Sequence, residues 1–287
     1  MPRSFKSLTG RAINIAYGGF HVLRCFAVGG PAYRILLSPR PDTPSYEEQV
    51  SKGFSYTRYK TTYQEFEKAD PSRFDLILPL GLPAVEFIAS HPDWAPNNPM
   101  PTPSLDCIRL CEDKLALNQM LIRKGHGDLI PRLGPGLPMP YLIKKRTDNF
   151  GINTHLIRTA EDEQRLGHLL HDPGYFSQEL VESFQEYAAH MVIRGGKLVC
   201  QMMIQHNLPN TMAITGKQSS VRSSHATRSR FTDQFVAALN AIGFEGLCCI
   251  DFRVVKGQPK LFEINPRMGF SLCPFLFSFV PALMRKG

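Results

Sequence analysis

Two carboxylates and an amide stand out in residues 246–271, GLCCIDFRVVKGQPKLFEINPRMGFS. Lys256-Gly257 separates two runs of strand-forming residues, so the segment reads as a hairpin. Asp251 lies on one strand, and Glu263 and Asn265 lie on its partner. Residues two apart on a strand face the same side, so Glu263 and Asn265 project together. The turn lets Asp251 lie near Glu263 across the ladder. Hard oxygen donors converging in this way suit Mg²⁺, which takes few protein ligands and completes its shell with phosphates. Arg267 follows directly, a fork able to hold a phosphate or a carboxylate. The plain alternative is a solvated edge hairpin. Phe262-Glu263-Ile264-Asn265-Pro266 speaks against it, because one face of an apolar strand is given over to polar groups.

The elements that position these groups follow from periodicity and turn residues. Residues 12–17 (AINIAY), the Gly18-Gly19 pair, a helix over 20–28 and a strand over 33–37 (YRILL) make the start of a doubly wound sheet. Without a GxGxxG pattern, the glycine pair is a turn before it is a phosphate site. A strand over 75–80 (DLILPL) and a helix over 83–90 continue the unit, and the less regular stretch 39–70 has room for one more strand and helix. Residues 93–103 (DWAPNNPMPTP) read as a linker. Beyond it come a helix over 112–124, a Gly-Pro loop over 125–139, a strand over 140–144, a helix over 160–170 and a strand over 175–181. A hairpin over 189–204 turns at Arg194-Gly195-Gly196, and a helix over 232–242 precedes the carboxylate hairpin.

Asp251, eleven intervening residues, then Glu263-Ile264-Asn265-Pro266-Arg267 with Gly269 and Ser271 resemble the C-terminal metal motif of ATP-grasp enzymes. Asp113-Lys114-Leu115 resembles the "DK" helix start of that superfamily, and the strand 140–144 resembles the one whose terminal lysine, here Lys144, meets the α- and β-phosphates. Residues 175–181 (YFSQELV) are similar to the hinge strand beside adenine. The resemblance covers residues 105–272. It implies an α/β and α+β protein, with a small Rossmann-like pre-ATP-grasp domain over 1–104 and a two-lobed ATP-grasp fold. The central lobe spans 105–181, and the C-terminal lobe with the metal site spans 182–287.

The resemblance further implies ATP and Mg²⁺ (or Mn²⁺) as cofactors, with Asp251, Glu263 and Asn265 on the metal. Lys114 and Lys144 would hold phosphates, Gln178, Glu179, Leu180 and Val181 would border the base, and Glu186 would take the ribose hydroxyls. Arg267 would hold an acyl phosphate or substrate carboxylate. Lys217 and Arg222 in loop 216–223 are candidates for the γ-phosphate, or equally solvated loop charges. The expected reaction is ATP-dependent amide or peptide bond formation between a carboxylate and an amine, with amino acids or peptides as the commonest substrates and a homodimer as a frequent assembly. An ATP-grasp kinase and a nucleotide-binding regulatory protein with weak catalysis stay open. The loop 145–153 (KRTDNFGIN) departs from the superfamily pattern, because it has one glycine where many members have several.

Composition narrows the field around this reading. The 287 residues are 43% hydrophobic and 20% charged, the balance of a globular chain. No run reaches the roughly 18–20 apolar residues of a membrane span, and 270–284 is broken by Pro274 and Pro281. Arg3, Lys6 and Arg11 have no long apolar core behind them, so no signal peptide is expected and the location is expected to be cytoplasmic. The seven cysteines form no CxxC pair and are expected to be buried or half-buried thiols rather than a metal cluster. The net charge of +8 attracts polyanions, nucleotide phosphates included, but the basic residues are scattered and match no nucleic-acid-binding spacing.

Overall fold

The structure is a computed structural model that describes residues 32–148, 151–216 and 221–285. The expected strand over 12–17, the Gly18-Gly19 pair, the helix over 20–28 and Lys217 lie outside the described residues.

The first sheet is parallel, in the order β2-β1-β3, from β1 (Arg34–Leu37), β2 (Lys60–Tyr63) and β3 (Leu76–Leu78). The central strand β1 and its neighbour β3 carry short buried apolar runs, residues 35–37 and 76–78, which suits parallel strands covered on both faces. Helix α1 (Pro44–Phe54) connects β1 to β2, with Pro44 in its first turn where a missing N–H costs nothing. Helix α2 (Leu82–Ser90) follows β3. Helix and strand thus fill the stretch 39–70 as anticipated. The linker over 93–103 carries a short 3-10 helix, Pro92–Asn97.

The helix expected over 112–124 spans Lys114–Leu121 and is preceded by another that the sequence reading did not assign. Helix α3 (Leu105–Glu112) is capped by Ser104, whose Oγ accepts from the Cys107 N–H at 3.2 Å. Helix α4 (Lys114–Leu121) begins after a single extended residue, Asp113. Asp113 interrupts the helix because its carboxylate accepts from the Ala116 N–H at 3.0 Å, satisfying a donor that a continuous helix would pair internally. A wide turn over Ile122–His126, with Gly125 at a φ of 87°, ends it.

The second sheet is antiparallel in the order β5-β4-β6: β4 (Tyr141–Lys145), β5 (Thr154–Ile157) and β6 (Tyr175–Glu179). Helix α5 (Ala160–Leu166) passes into a 3-10 turn, Gly167–His171, earlier than the expected end at 170. The third sheet has five antiparallel strands in the order β11-β10-β7-β8-β9. These are β7 (Gln185–Arg194), β8 (Lys197–Asn207), β9 (Ser223–Thr227), β10 (Gly246–Val255) and β11 (Gln258–Asn265). Helix α6 (Thr232–Ala241) stands between β9 and β10 in the chain.

Two clusters bury most of the apolar side chains. One joins Phe235 and Leu239 of α6, Leu117 and Leu121 of α4 and Cys107 of α3 to Met191, Ile250, Phe252 and Ile264 of the large sheet. The other ties α1 to the C-terminal 3-10 segment Phe270–Phe279, with Val50 and Phe54 packed among Leu272, Leu276 and Phe277. The approach is close. A Cβ on Gly53 would lie 2.7 Å from the Pro274 carbonyl oxygen, so glycine lets the two backbones meet. The six described cysteines are free thiols, five buried and Cys200 half-buried. Among the described residues, no helix is long and apolar enough to cross a membrane.

Candidate active site

The two antiparallel sheets and the start of α1 open onto one cavity of about 630 Å³, within the usual range for small-molecule sites. Its centre is the carboxylate hairpin. Asp251 on β10 and Glu263 on β11 are direct cross-strand partners, and a bulge follows between Asp251 and Phe252. Asn265 Nδ2 donates to Asp251 Oδ2 at 3.0 Å and to Glu263 Oε1 at 3.1 Å, so the three polar groups meet at one point. Burial, then the charges of Glu263 and Glu186, push Asp251 well above the usual carboxylate range. Burial acts the same way on Glu263, but Lys114 and Lys144 outweigh it and hold that carboxyl below its ordinary value.

Two half-buried carboxylates that repel each other, bridged by an amide, make a donor set that fits a small hard cation. The Asn265 amide has an oxygen as well as an NH₂ end, so it can serve as a third oxygen ligand. Among the described residues, no group of three His, Cys, Asp or Glu side chains converges as a metal site, and this cluster reaches three donors only with the amide.

Two lysines flank the pair from separate elements. Lys114, first residue of α4, places Nζ 3.2 Å from Glu263 Oε2 and donates to the Asp148 carbonyl at 2.7 Å. Lys144 on β4 donates to Gln178 Oε1 at 3.1 Å. Burial lowers Lys144 to about 8, against the pull of Glu263. Arg146 is taken up by Asp113, to which its guanidinium and Nε donate, and it does not line the cavity.

Leu180, Val181, Glu186 and Phe262 form a further part of the cavity wall. It contains a residue that the sequence reading missed. Arg253, only 3% exposed, donates through Nε to Glu186 Oε2 at 3.0 Å and through its NH groups to the carbonyls of Val181, Thr211 and Ala213. It ties the hinge after β6 to the loop after β8. Its signal was present: Arg253 stands two residues from Asp251 on an apolar strand, hence on the same face.

The wall also takes Thr43, Ser45 and Tyr46 at the start of α1, His206 and Ser224 on β8 and β9, which lie beside Glu186 in the sheet register, and Arg267, Phe270 and Ser271. Nothing in residue type or spacing marked Ser45, His206 or Ser224. Gly269 lets the chain pass close to the sheet here, since a Cβ would lie 2.8 Å from both Cys249 Sγ and His190 Cε1. His190 is fully buried, its Nε2 is 2.9 Å from Ser271 Oγ, and burial lowers it to about 3.

Of the anticipated site residues, the cavity gathers Asp251, Glu263, Asn265, Lys114, Lys144, Leu180, Val181, Glu186 and Arg267. Gln178 reaches it only through Lys144. Glu179 is not brought in. Alternation along β6 turns its carboxylate away to Arg132, which holds it through a backbone N–H at 3.1 Å and a guanidinium NH at 3.3 Å. Arg222 is exposed and does not line the cavity, although its backbone N–H pairs with the Asn207 carbonyl.

The architecture is that of the ATP-grasp fold, and solved ATP-grasp enzymes match most of the chain. One is phosphoribosylamine–glycine ligase from Thermotoga maritima, with a TM-score of 0.64 at 15% identity over 86% of this chain and 72% of that one. Another is L-amino acid ligase from Bacillus licheniformis, with a TM-score of 0.58 at 15% identity over 86% and 70%. D-Alanine–D-alanine ligase from Bacillus anthracis, complexed with ATP, gives 0.54 at 14% identity over 88% and 92%. No protein-family model and no curated protein matches the sequence. At these identities the shared property is the fold.

Proposed function

We propose that the chain is an ATP-dependent ligase that activates a carboxylate as an acyl phosphate and transfers it to an amine. The observation that carries this reading is the half-buried Asp251–Glu263–Asn265 cluster, which shares one cavity with Lys114, Lys144 and Arg267. The ligase activities named for similar folds agree with it.

In this reading Asp251, Glu263 and Asn265 hold Mg²⁺, with Mn²⁺ as a substitute, and the ion supplies charge neutralisation on the triphosphate when bound. Lys114 and Lys144 place fixed positive charge beside the phosphates. The backbone around Leu180 and Val181 borders the base, and Glu186, oriented by Arg253, faces the ribose. Arg267 holds the substrate carboxylate. A carboxylate oxygen attacks the γ-phosphorus, the bond to ADP breaks, and an acyl phosphate forms. The amine nitrogen then attacks the acyl carbon, phosphate leaves with its oxygen, and a proton passes to solvent. Placement and electrostatics accomplish this without a dedicated general base. The working division of the chain is a first unit over 1–104, a central lobe over 105–181 and a C-terminal lobe over 182–287.

The test is Mg²⁺-dependent ADP release from purified protein with pooled carboxylates and amines, read with mass spectrometry. A new product at the summed mass less one water, lost in Glu263→Gln, supports the ligase. ATP binding without ADP release from any pool overturns it.

A further inference from the structure

We propose that buried His190 fixes the Ser271 hydroxyl as a hydrogen-bond donor into the cavity, where it and Arg267 together hold an anionic oxygen of the bound substrate. That this anion is a substrate carboxylate or its acyl phosphate rests on the ligase reading above.

His190 stands on β7 between Met202 of β8 and Cys249 of β10 and has no exposed surface. Its Nε2 lies 2.9 Å from Ser271 Oγ, and its Nδ1 is buried with no hydrogen-bond partner among the described residues. Burial without a counter-charge keeps the ring neutral, so one nitrogen carries a proton and the other a lone pair. A proton on Nδ1 would be a buried N–H with nothing to receive it. A proton on Nε2 is used at once, and only a bare acceptor is left over. Orphaned buried N–H groups are rare, and incompletely used acceptors are tolerated more often. Nε2–H therefore donates to Ser271 Oγ. The hydroxyl proton of Ser271 is then not spent on the imidazole, and Ser271 Oγ has no other hydrogen-bond partner among the described residues. Ser271 is half-buried and lines the cavity, which is where that proton can be used.

Arg267 supplies charge to the same stretch of wall. Gly269 separates it from Ser271 in the chain, and a Cβ there would meet both Cys249 Sγ and His190 Cε1. The Arg267 charge acts on Cys249, and also on Tyr46, Glu112 and Asp251. Two acids thus offset part of it, and the guanidinium by itself anchors an anion less firmly than an isolated one. A hydroxyl with a fixed direction adds a hydrogen bond to the charged oxygen and sets where that oxygen sits. His190 acts only through Ser271, so it is a positioning residue.

The experiment needs neither ATP nor the natural substrate. The whole chain is prepared with isotope-labelled histidine, and long-range proton–nitrogen correlation spectra at neutral pH show which nitrogen of each ring carries the proton. The His190 signal is the one lost in His190→Gln; if that variant does not fold, Ser271→Ala identifies it by the shift it causes. The Nε2–H form is expected. The Nδ1–H form overturns the inference, because Ser271 then spends its proton on the ring.

Acetate and inorganic phosphate are next titrated in, with chloride as the ionic-strength control. An anion that accepts from Ser271 polarises the His190 bond behind it, so the His190 Nε2–H signal should shift saturably with at least one of the two. Tighter binding of acetate marks a carboxylate as the occupant, and tighter binding of phosphate marks a phosphoryl group. The shift should vanish in Ser271→Ala, and in Arg267→Gln the affinity read on the same signal should fall at least ~10-fold, as for one lost hydrogen bond to a charged group. No shift with either anion, or an equal shift with chloride, overturns the subsite. ADP release together with the Nδ1–H form keeps the ligase and removes this role of Ser271. The expected tautomer and anion response, with no ADP from any pool, keep the subsite and remove the ligase.

Discussion

Arg253 and Glu186 pose the sharpest residue-scale question, because both are nearly free of solvent and each would be an uncompensated charge without the other. Breaking such a pair from one side costs about 3–5 kcal/mol, whereas removing both charges costs much less. Arg253→Met is therefore expected to lower the denaturation midpoint strongly, and Arg253→Met with Glu186→Gln to recover part of it. A double variant as unstable as the single would place the cost in the orphaned carbonyls of Val181, Thr211 and Ala213 instead. Lys144 gives a pH signature. Its pKa is near 8 in the folded chain against 10.5 ordinarily, so between those values the unfolded chain holds more protons. Stability of the ligand-free protein should then rise from pH 8 to 10.5 by up to ~3 kcal/mol from this group, with the full penalty present below 8. Thermal melts in which Lys144→Met shows the same pH slope as the parent would refute this. At the metal pair, Glu263→Gln should reduce Mg²⁺-dependent ADP release roughly 100-fold or more while leaving the fold intact. Legibility at this scale followed spacing. Asp251, Glu263 and Asn265 could be read because strand alternation brings them together, and Glu179 misled because the same alternation carries it to the other face.

At the scale of elements, periodicity identified the long strands and failed on short polar ones. β10 and β11 announce themselves by apolar runs around Lys256-Gly257. β9, with the sequence SSHAT, has no apolar alternation and becomes a strand only by pairing with β8 from Met203 to Asn207. β5 is likewise a short edge strand of its sheet. Helix α3 went unread because its eight residues, LDCIRLCE, are too few to show a helical period beside the Pro-rich stretch before them. The passage from β11 to the 3-10 segment depends on Gly269. Gly269→Ala is expected to destabilise by about 1–3 kcal/mol, because the new methyl meets Cys249 and the fully buried His190, neither free to withdraw. An unchanged urea midpoint would show that the strand end can shift to make room.

Across the whole molecule, the cavity is assembled from parts far apart in sequence, which is why its carboxylate hairpin was legible and much of its wall was not. The hairpin rests on fixed local spacing. The wall takes Ser45 from α1, His206 from β8 and Ser271 from the C-terminal segment, a meeting that only tertiary packing decides. The seam between α1 and Phe270–Phe279 is what makes that meeting permanent. A protease site inserted at the exposed Pro92-Asp93 dipeptide should give two fragments that co-elute on gel filtration and part only in denaturant. Fragments that separate in native buffer would mean the seam is too weak to hold the wall together.

The closeness at Gly53 bears on how such a chain can change over generations. Helix α1 cannot be exchanged for its counterpart from a protein of similar fold as a detachable piece, because an incoming helix would also need a glycine placed to receive the Pro274 carbonyl. The head and the tail of the chain are free to drift only in concert.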